Sequence, residues 1–126
     1  MGDNSAGELG DGTTTLRRVP TLVSGSVAFV EIRTGGVNSC GLTQTGAVYC
    51  WGGNTQGELG DGTTTQRLVP TLVSGSIAFV EISTGLEHSC GRTQTGAVYC
   101  WGDNTQGEVG DGTTTQRLLP TPVLSP

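Results

Sequence analysis

At 126 residues, with 33% apolar and 5% aromatic side chains, the chain has room for one ordinary domain at most and too few large apolar groups for a thick core. Its 22 glycines fit many short strands joined by tight turns, and a net charge of −5 with apolar residues in recurring clusters excludes a disordered chain. Six Arg, no Lys and no basic cluster beyond Arg17-Arg18 argue against nucleic acid as a partner, and no apolar run approaches the roughly 18 residues of a membrane span.

The chain repeats itself. Trp51-Gly52 returns as Trp101-Gly102, a period of 50 residues, and 38 of 50 positions agree when residues 26–75 are laid on 76–125. The N-terminal piece, Gly2 to Gly25, matches 52–75 equally well. The organisation is therefore a partial repeat over 1–25, a full repeat over 26–75 and a second over 76–126. Residues after Met1 already read as repeat, so no signal peptide is expected within this chain.

Each full repeat predicts four strands. The first, Val27 to Ile32, is apolar on both faces and is expected to be covered on both. Ser39 to Thr43 and Ala47 to Trp51 form the second and third, joined by the turn Gln44-Thr45-Gly46, in which Gly supplies the left-handed position. That turn sets Thr43 opposite Ala47, Leu42 opposite Val48 and Cys40 opposite Cys50 at a non-hydrogen-bonded pair, with Cα atoms about 4.5 Å apart. A disulfide accepts that spacing, and Cys90 and Cys100 repeat it. The alternatives are reduced core cysteines and a zinc site, for which nine intervening residues suit structural ligand spacing poorly. After a long polar loop, Gly52 to Gln66, the fourth strand, Arg67 to Val73, carries Pro70 and belongs on a sheet edge. Small four-stranded antiparallel sheets with both faces buried make an all-β fold of propeller blades.

The units Gly36-Val37-Asn38-Ser39-Cys40-Gly41-Leu42-Thr43, Gly46 to Asn54, Gly57-Glu58-Leu59-Gly60-Asp61-Gly62-Thr63 and Gly85-Leu86-Glu87-His88-Ser89-Cys90 resemble the regulator of chromosome condensation family of β-propellers. The resemblance implies a closed ring, commonly of about seven blades, often with an N-terminal outer strand completing the last blade. It spans known members as different as a nucleotide-exchange factor for a small GTPase and a secreted bacterial inhibitor of β-lactamases. The paired cysteines look more like the secreted branch, which implies an extracellular or other oxidising compartment.

Candidate sites have plain structural alternatives. His88, the single histidine, stands where the first repeat has Asn38, and reads as a turn or packing residue rather than a catalytic base. The Gly-Asp-Gly-Thr loops at 60–63 and 110–113 lack the alternating ligands of an EF-hand and read as turns, so no metal or cofactor is expected. Trp51 and Trp101 are expected to pack between blades, and Asn54 and Asn104 to pin their loops. The repeats differ mostly between their first and second strands. Arg33, Gly36, Val37, Asn38 and Leu42 correspond to Ser83, Leu86, Glu87, His88 and Arg92, a candidate rim for a protein ligand.

Two repeats leave apolar blade faces open, so homo-oligomerisation into a ring is expected, as a trimer or tetramer supplying about six or eight blades. The outer-strand sequence occurs three times, at 17–23, 67–73 and 117–123, so one copy is surplus if each blade takes one. The function expected is a non-catalytic, self-assembling propeller scaffold. The alternative is a secreted recognition or inhibitor module that binds a partner across one ring face.

Overall fold

The computed structural model describes residues 4–14, 23–25 and 27–124. Eight strands form two separate four-stranded sheets. The first holds β1 (Phe29–Thr34), β2 (Asn38–Thr43), β3 (Val48–Gly52) and β4 (Arg67–Leu72); the second holds β5 (Glu81–Thr84), β6 (His88–Arg92), β7 (Val98–Gly102) and β8 (Arg117–Pro122). Strand order follows chain order in each, and every pairing is antiparallel.

The β2–β3 hairpin has the register its turn dictates. Thr43 N–H donates to the Ala47 carbonyl, Leu42 faces Val48 and Cys40 faces Cys50. Gly46 takes φ +91°, where a side chain would be strained. Cys40–Cys50 and Cys90–Cys100 are disulfides, each with Cα atoms 4.1 Å apart. Gly41 and Gly91 leave the floor on which Phe29 and Phe79 lie: a Cβ on either would sit 2.5 Å from the ring. Each Phe ring then meets a Tyr edge-on and a Trp at a tilt, at 5.7–6.2 Å between centroids. Pro70 and Pro120 lie in β4 and β8, which are edge strands, as a missing N–H requires.

The core lies between the two blades. Cys40, Leu42, Val48 and Cys50 on one face of the first blade meet Phe79, Ile82 and Trp101 on the second, with Leu59 and Val73 closing the cluster.

The first strand departs from expectation. β1 is shifted two residues, to Phe29–Thr34, and is not covered on both faces, since Val30 is 65% and Ile32 44% exposed. The equivalent Ile82 is only 3% exposed. The two residues are identical, so position decides: Ile82 meets the blade before it, and no blade precedes Ile32 among the described residues. Of the three outer-strand copies, 67–73 and 117–123 lie at the edges, while the N-terminal copy, except Val23, falls outside the described residues.

Candidate functional site

The site with the most built geometry is the junction between blades, and the polar loop after the third strand is its key. Glu58 presents its main-chain carbonyl to two donors of the next blade, Trp101 Nε1 at 2.8 Å and Ser89 Oγ at 3.0 Å. Gly62 N–H donates to the Leu118 carbonyl, and Phe79 N–H to the Gly46 carbonyl, both at 2.9 Å. At the inner end, Gly36 N–H donates to the Gly85 carbonyl at 3.1 Å and Asn38 Nδ2 to Ser89 Oγ at 3.2 Å. The partial repeat makes the same set on the first blade. The Glu8 carbonyl accepts from Trp51 Nε1 and Ser39 Oγ, each at 2.9 Å, and Gly12 N–H donates to the Leu68 carbonyl. One seat is thus used twice.

The loop holds its shape through its own polar groups. Asn54 Nδ2 donates to the carbonyls of Thr63 and Thr65 at 2.9 and 3.0 Å, while its Oδ1 accepts Leu59 N–H at 2.9 Å. Asp61 accepts from the Thr63 hydroxyl at 2.7 Å and from Arg67 Nε at 2.9 Å. Burial would raise the Asp61 pKa, but the Thr63 hydroxyl and N–H and the Arg67 guanidinium outweigh it, and the net shift is downward. The Thr113 hydroxyl, with Arg117 and Asn104, holds Asp111 well below the ordinary carboxylate value. Glu58 goes the other way. Its residue is fully buried, Oε1 accepts Gln56 N–H at 2.7 Å, and Oε2 has no partner among the described residues. Burial raises its pKa; the Glu58 and Gln56 N–H groups pull back, and Glu87 and Asp103 push further upward.

The family model for the regulator of chromosome condensation (RCC1) repeat matches residues 45–91 and 95–126. The chain belongs to the RCC1 repeat family. A second RCC1 repeat model matches 29–58 and 79–108. No curated protein sequence matches the chain. Among solved structures, human WBSCR16 is 22% identical with a TM-score of 0.84, over 98% of this chain and 34% of that one. Yeast RCC1 (Prp20) bound to Kap60 is 24% identical with a TM-score of 0.84, over 98% of this chain and 32% of that one. Another structure of Prp20p, from Saccharomyces cerevisiae, gives 24% identity and a TM-score of 0.79, over 97% and 33%. At these identities the likeness establishes the fold, and the chain spans about a third of the relatives' length.

These two RCC1 blades place the expected site residues unevenly. Trp51 and Trp101 are 2% and 1% exposed and pack at blade junctions through their Nε1 bonds. The four cysteines form the expected pairs. The candidate rim requires correction: Leu42, 4% exposed, and Asn38, 1% exposed, lie inside the junction. They fall there because side chains two apart on a strand share a face, and β2 points Asn38, Cys40 and Leu42 together at the second blade. Arg33, Leu86 and Arg92 are exposed, while Val37, Glu87 and His88 are half-buried. The His88 ring packs on Gly85, and the His88 carbonyl accepts Gly85 N–H at 2.8 Å, the turn geometry that Asn38 makes with Gly35. Among the described residues no three His, Cys, Asp or Glu side chains gather as a metal site. The loop's role as a key was missed from sequence; its signal was Gly-Glu-(Leu/Val)-Gly, an apolar residue kept in three copies of an otherwise polar loop.

Proposed function

We propose that the chain acts as a non-catalytic propeller scaffold that assembles head to tail with further copies of itself through blade junctions. One observation carries this: the second blade offers a vacant copy of the seat that the first blade has filled. Its Gly96 carbonyl, Glu108 carbonyl and Gly112 N–H correspond to the Gly46, Glu58 and Gly62 groups that bind the next blade, and they have no partner among the described residues. A groove of about 340 Å³, lined by Ala97, Val98, Tyr99, Pro122, Val123 and Leu124, lies where the first blade receives Ile77 to Phe79. At the other end Phe29 and Ile32 repeat the surface that Phe79 and Ile82 bury. Two unlike, complementary ends on one chain make a heterologous contact, which closes into a ring when the rotation per copy divides a full turn.

Residues 4–14 already fill the Trp51 and Ser39 part of the first blade's seat, so docking of a neighbour's 102–114 loop requires one copy of the loop to leave. Native mass spectrometry across a concentration series tests the proposal. Discrete trimers or tetramers support it, and a monomer at every concentration refutes it.

A second reading is protein recognition across one face. It draws on the solved relatives, Prp20 bound to Kap60 and Prp20p with its binding properties to Gsp1p and histones. Under either reading the two disulfides suit an oxidising compartment. Pull-down from an extracellular fraction, with reduced and alkylated chain as the control, tests recognition.

A further inference from the structure

Position 42/92 differs between the repeats on the face that the first blade buries and the second leaves open: Leu42 is buried and Arg92 exposed, and nearby Gly36 is replaced by the exposed Leu86. We propose that Arg92 and Leu86 set this open face against tight docking of a second copy, so that the junction between copies is weaker than the junction within a chain. The inference deepens the self-assembly reading and rests on its claim that the open face receives the first blade of another copy.

Arg92 stands where Leu42 stands in the first blade. Leu42 is 4% exposed and belongs to the cluster with Phe79 and Ile82. A second copy would bring Phe29 and Ile32 against Arg92 in the same way. Phe29, Ile32, Tyr49 and Trp51, the apolar side chains of that incoming face, carry no counter-charge. Arg92 is instead held by Glu81 of its own blade at 3.0 Å, with the two side chains 47% and 58% exposed. Docking would strip water from that pair and bring no counter-charge among those apolar side chains, which is unfavourable for an ion pair.

Leu86 adds a steric obstacle. It replaces Gly36, where a Cβ would lie 2.9 Å from the Leu86 carbonyl oxygen and 3.1 Å from its Cα across the internal junction. A side chain at this position of the second blade therefore presses on the backbone of any blade seated in the same geometry. Arrays of near-identical repeats with two complementary ends risk unlimited head-to-tail growth. A charged and a bulky residue on one end weaken self-docking, and of the two only Leu86 also borders the internal junction, where it faces Gly36.

The test compares the full chain with its L86G/R92L variant, which restores the first-blade residues at both positions. R92E serves as a second variant that keeps a charge there. Light scattering and sedimentation against concentration are read with both disulfides intact and circular dichroism matched. The expected result is half-assembly of L86G/R92L at a concentration lower by about tenfold or more, as burial of one leucine's surface implies. R92E is expected to assemble no better than the unaltered chain. If the unaltered chain stays monomeric while L86G/R92L assembles, the inference stands and assembly of the unaltered chain is refuted. If both assemble at one concentration, or if R92E assembles as tightly as L86G/R92L, the inference is overturned and self-assembly stands. If neither assembles, both fall.

Discussion

Ile32 and Ile82 are the same residue at the same repeat position, one on an open face and one in the junction, so replacing each with alanine isolates what a blade neighbour contributes. Ile→Ala removes three carbon groups, worth roughly 0.8 kcal/mol each when fully buried, or about 2.5 kcal/mol of transfer free energy. Ile82 is 3% exposed within a close-packed cluster, so an unfilled cavity adds to this and brings the expected loss to about 3–4 kcal/mol. Ile32 is 44% exposed, so nearly half of its surface loses nothing and no closed cavity forms; its expected loss is about 1 kcal/mol. For a chain of this length each kcal/mol shifts Tm by about 3–5 °C. Urea unfolding, followed by tryptophan fluorescence at low protein concentration with the disulfides intact, reads both variants against the parent. Equal losses for I82A and I32A would refute the placement of the core between the blades. If copies assemble, I32A acquires a second effect at high concentration, because assembly buries that side chain.

Trp101→Phe removes one donor from the Glu58 carbonyl while Ser89 still satisfies it; a loss of about 1–2 kcal/mol is expected in urea unfolding, and a loss below 0.5 would count against the bond. Reduction opens two disulfides, each closing a separation of 10 residues and worth about 2.5–3 kcal/mol in the chain-entropy model, so a scan with and without reductant is expected to show a large fall in Tm. The Glu58 pKa is raised in the folded state, so its contribution is most favourable below the unfolded carboxylate value and is lost as pH rises through the folded value. Asp61 and Asp111 are lowered, so their contribution is present above the unfolded value and lost as pH falls toward the folded ones. E58Q is expected to abolish the loss on the rising side alone; unfolding curves from pH 3 to 8 that superimpose for the two proteins would count against burial of that carboxyl.

The hairpin was legible because a turn fixes everything outward from it. With Gln44-Thr45-Gly46 as the loop, Cys40 must face Cys50, and the structure has that pairing. The edge strands were legible because Pro70 and Pro120 cannot donate to a neighbour. The candidate rim misled for a reason that the same hairpin contains. Once Cys40 and Cys50 share a face, Asn38 and Leu42 share it too, and the differences at these two positions fall on a blade face rather than in a free loop. What sequence could not supply was which face is covered. That depends on whether another blade stands beside it, which is why Ile32 and Ile82, each ending the same Ala-Phe-Val-Glu-Ile run, have opposite environments.

The same logic accounts for the glutamate that recurs as Glu8, Glu58 and Glu108. Its use to the next blade is a main-chain carbonyl, which any residue would offer. In all three copies, however, the carboxylate closes its own turn by accepting the N–H two residues before it, at 2.9, 2.7 and 2.8 Å. Asn4, Asn54 and Asn104 likewise accept the N–H five residues on at 2.9 Å, whether or not a blade is seated against the loop. The key is therefore shaped before it is used, and docking a blade orders little further backbone. The cost appears only at Glu58, whose carboxylate is fully buried, whereas Glu8 and Glu108 are half-exposed. A loop that is preorganised by its own side chains and penalised modestly on burial can serve every junction in a repeat array. It leaves the choice of neighbour to the few face residues, Leu42 or Arg92 among them, that differ from one blade to the next.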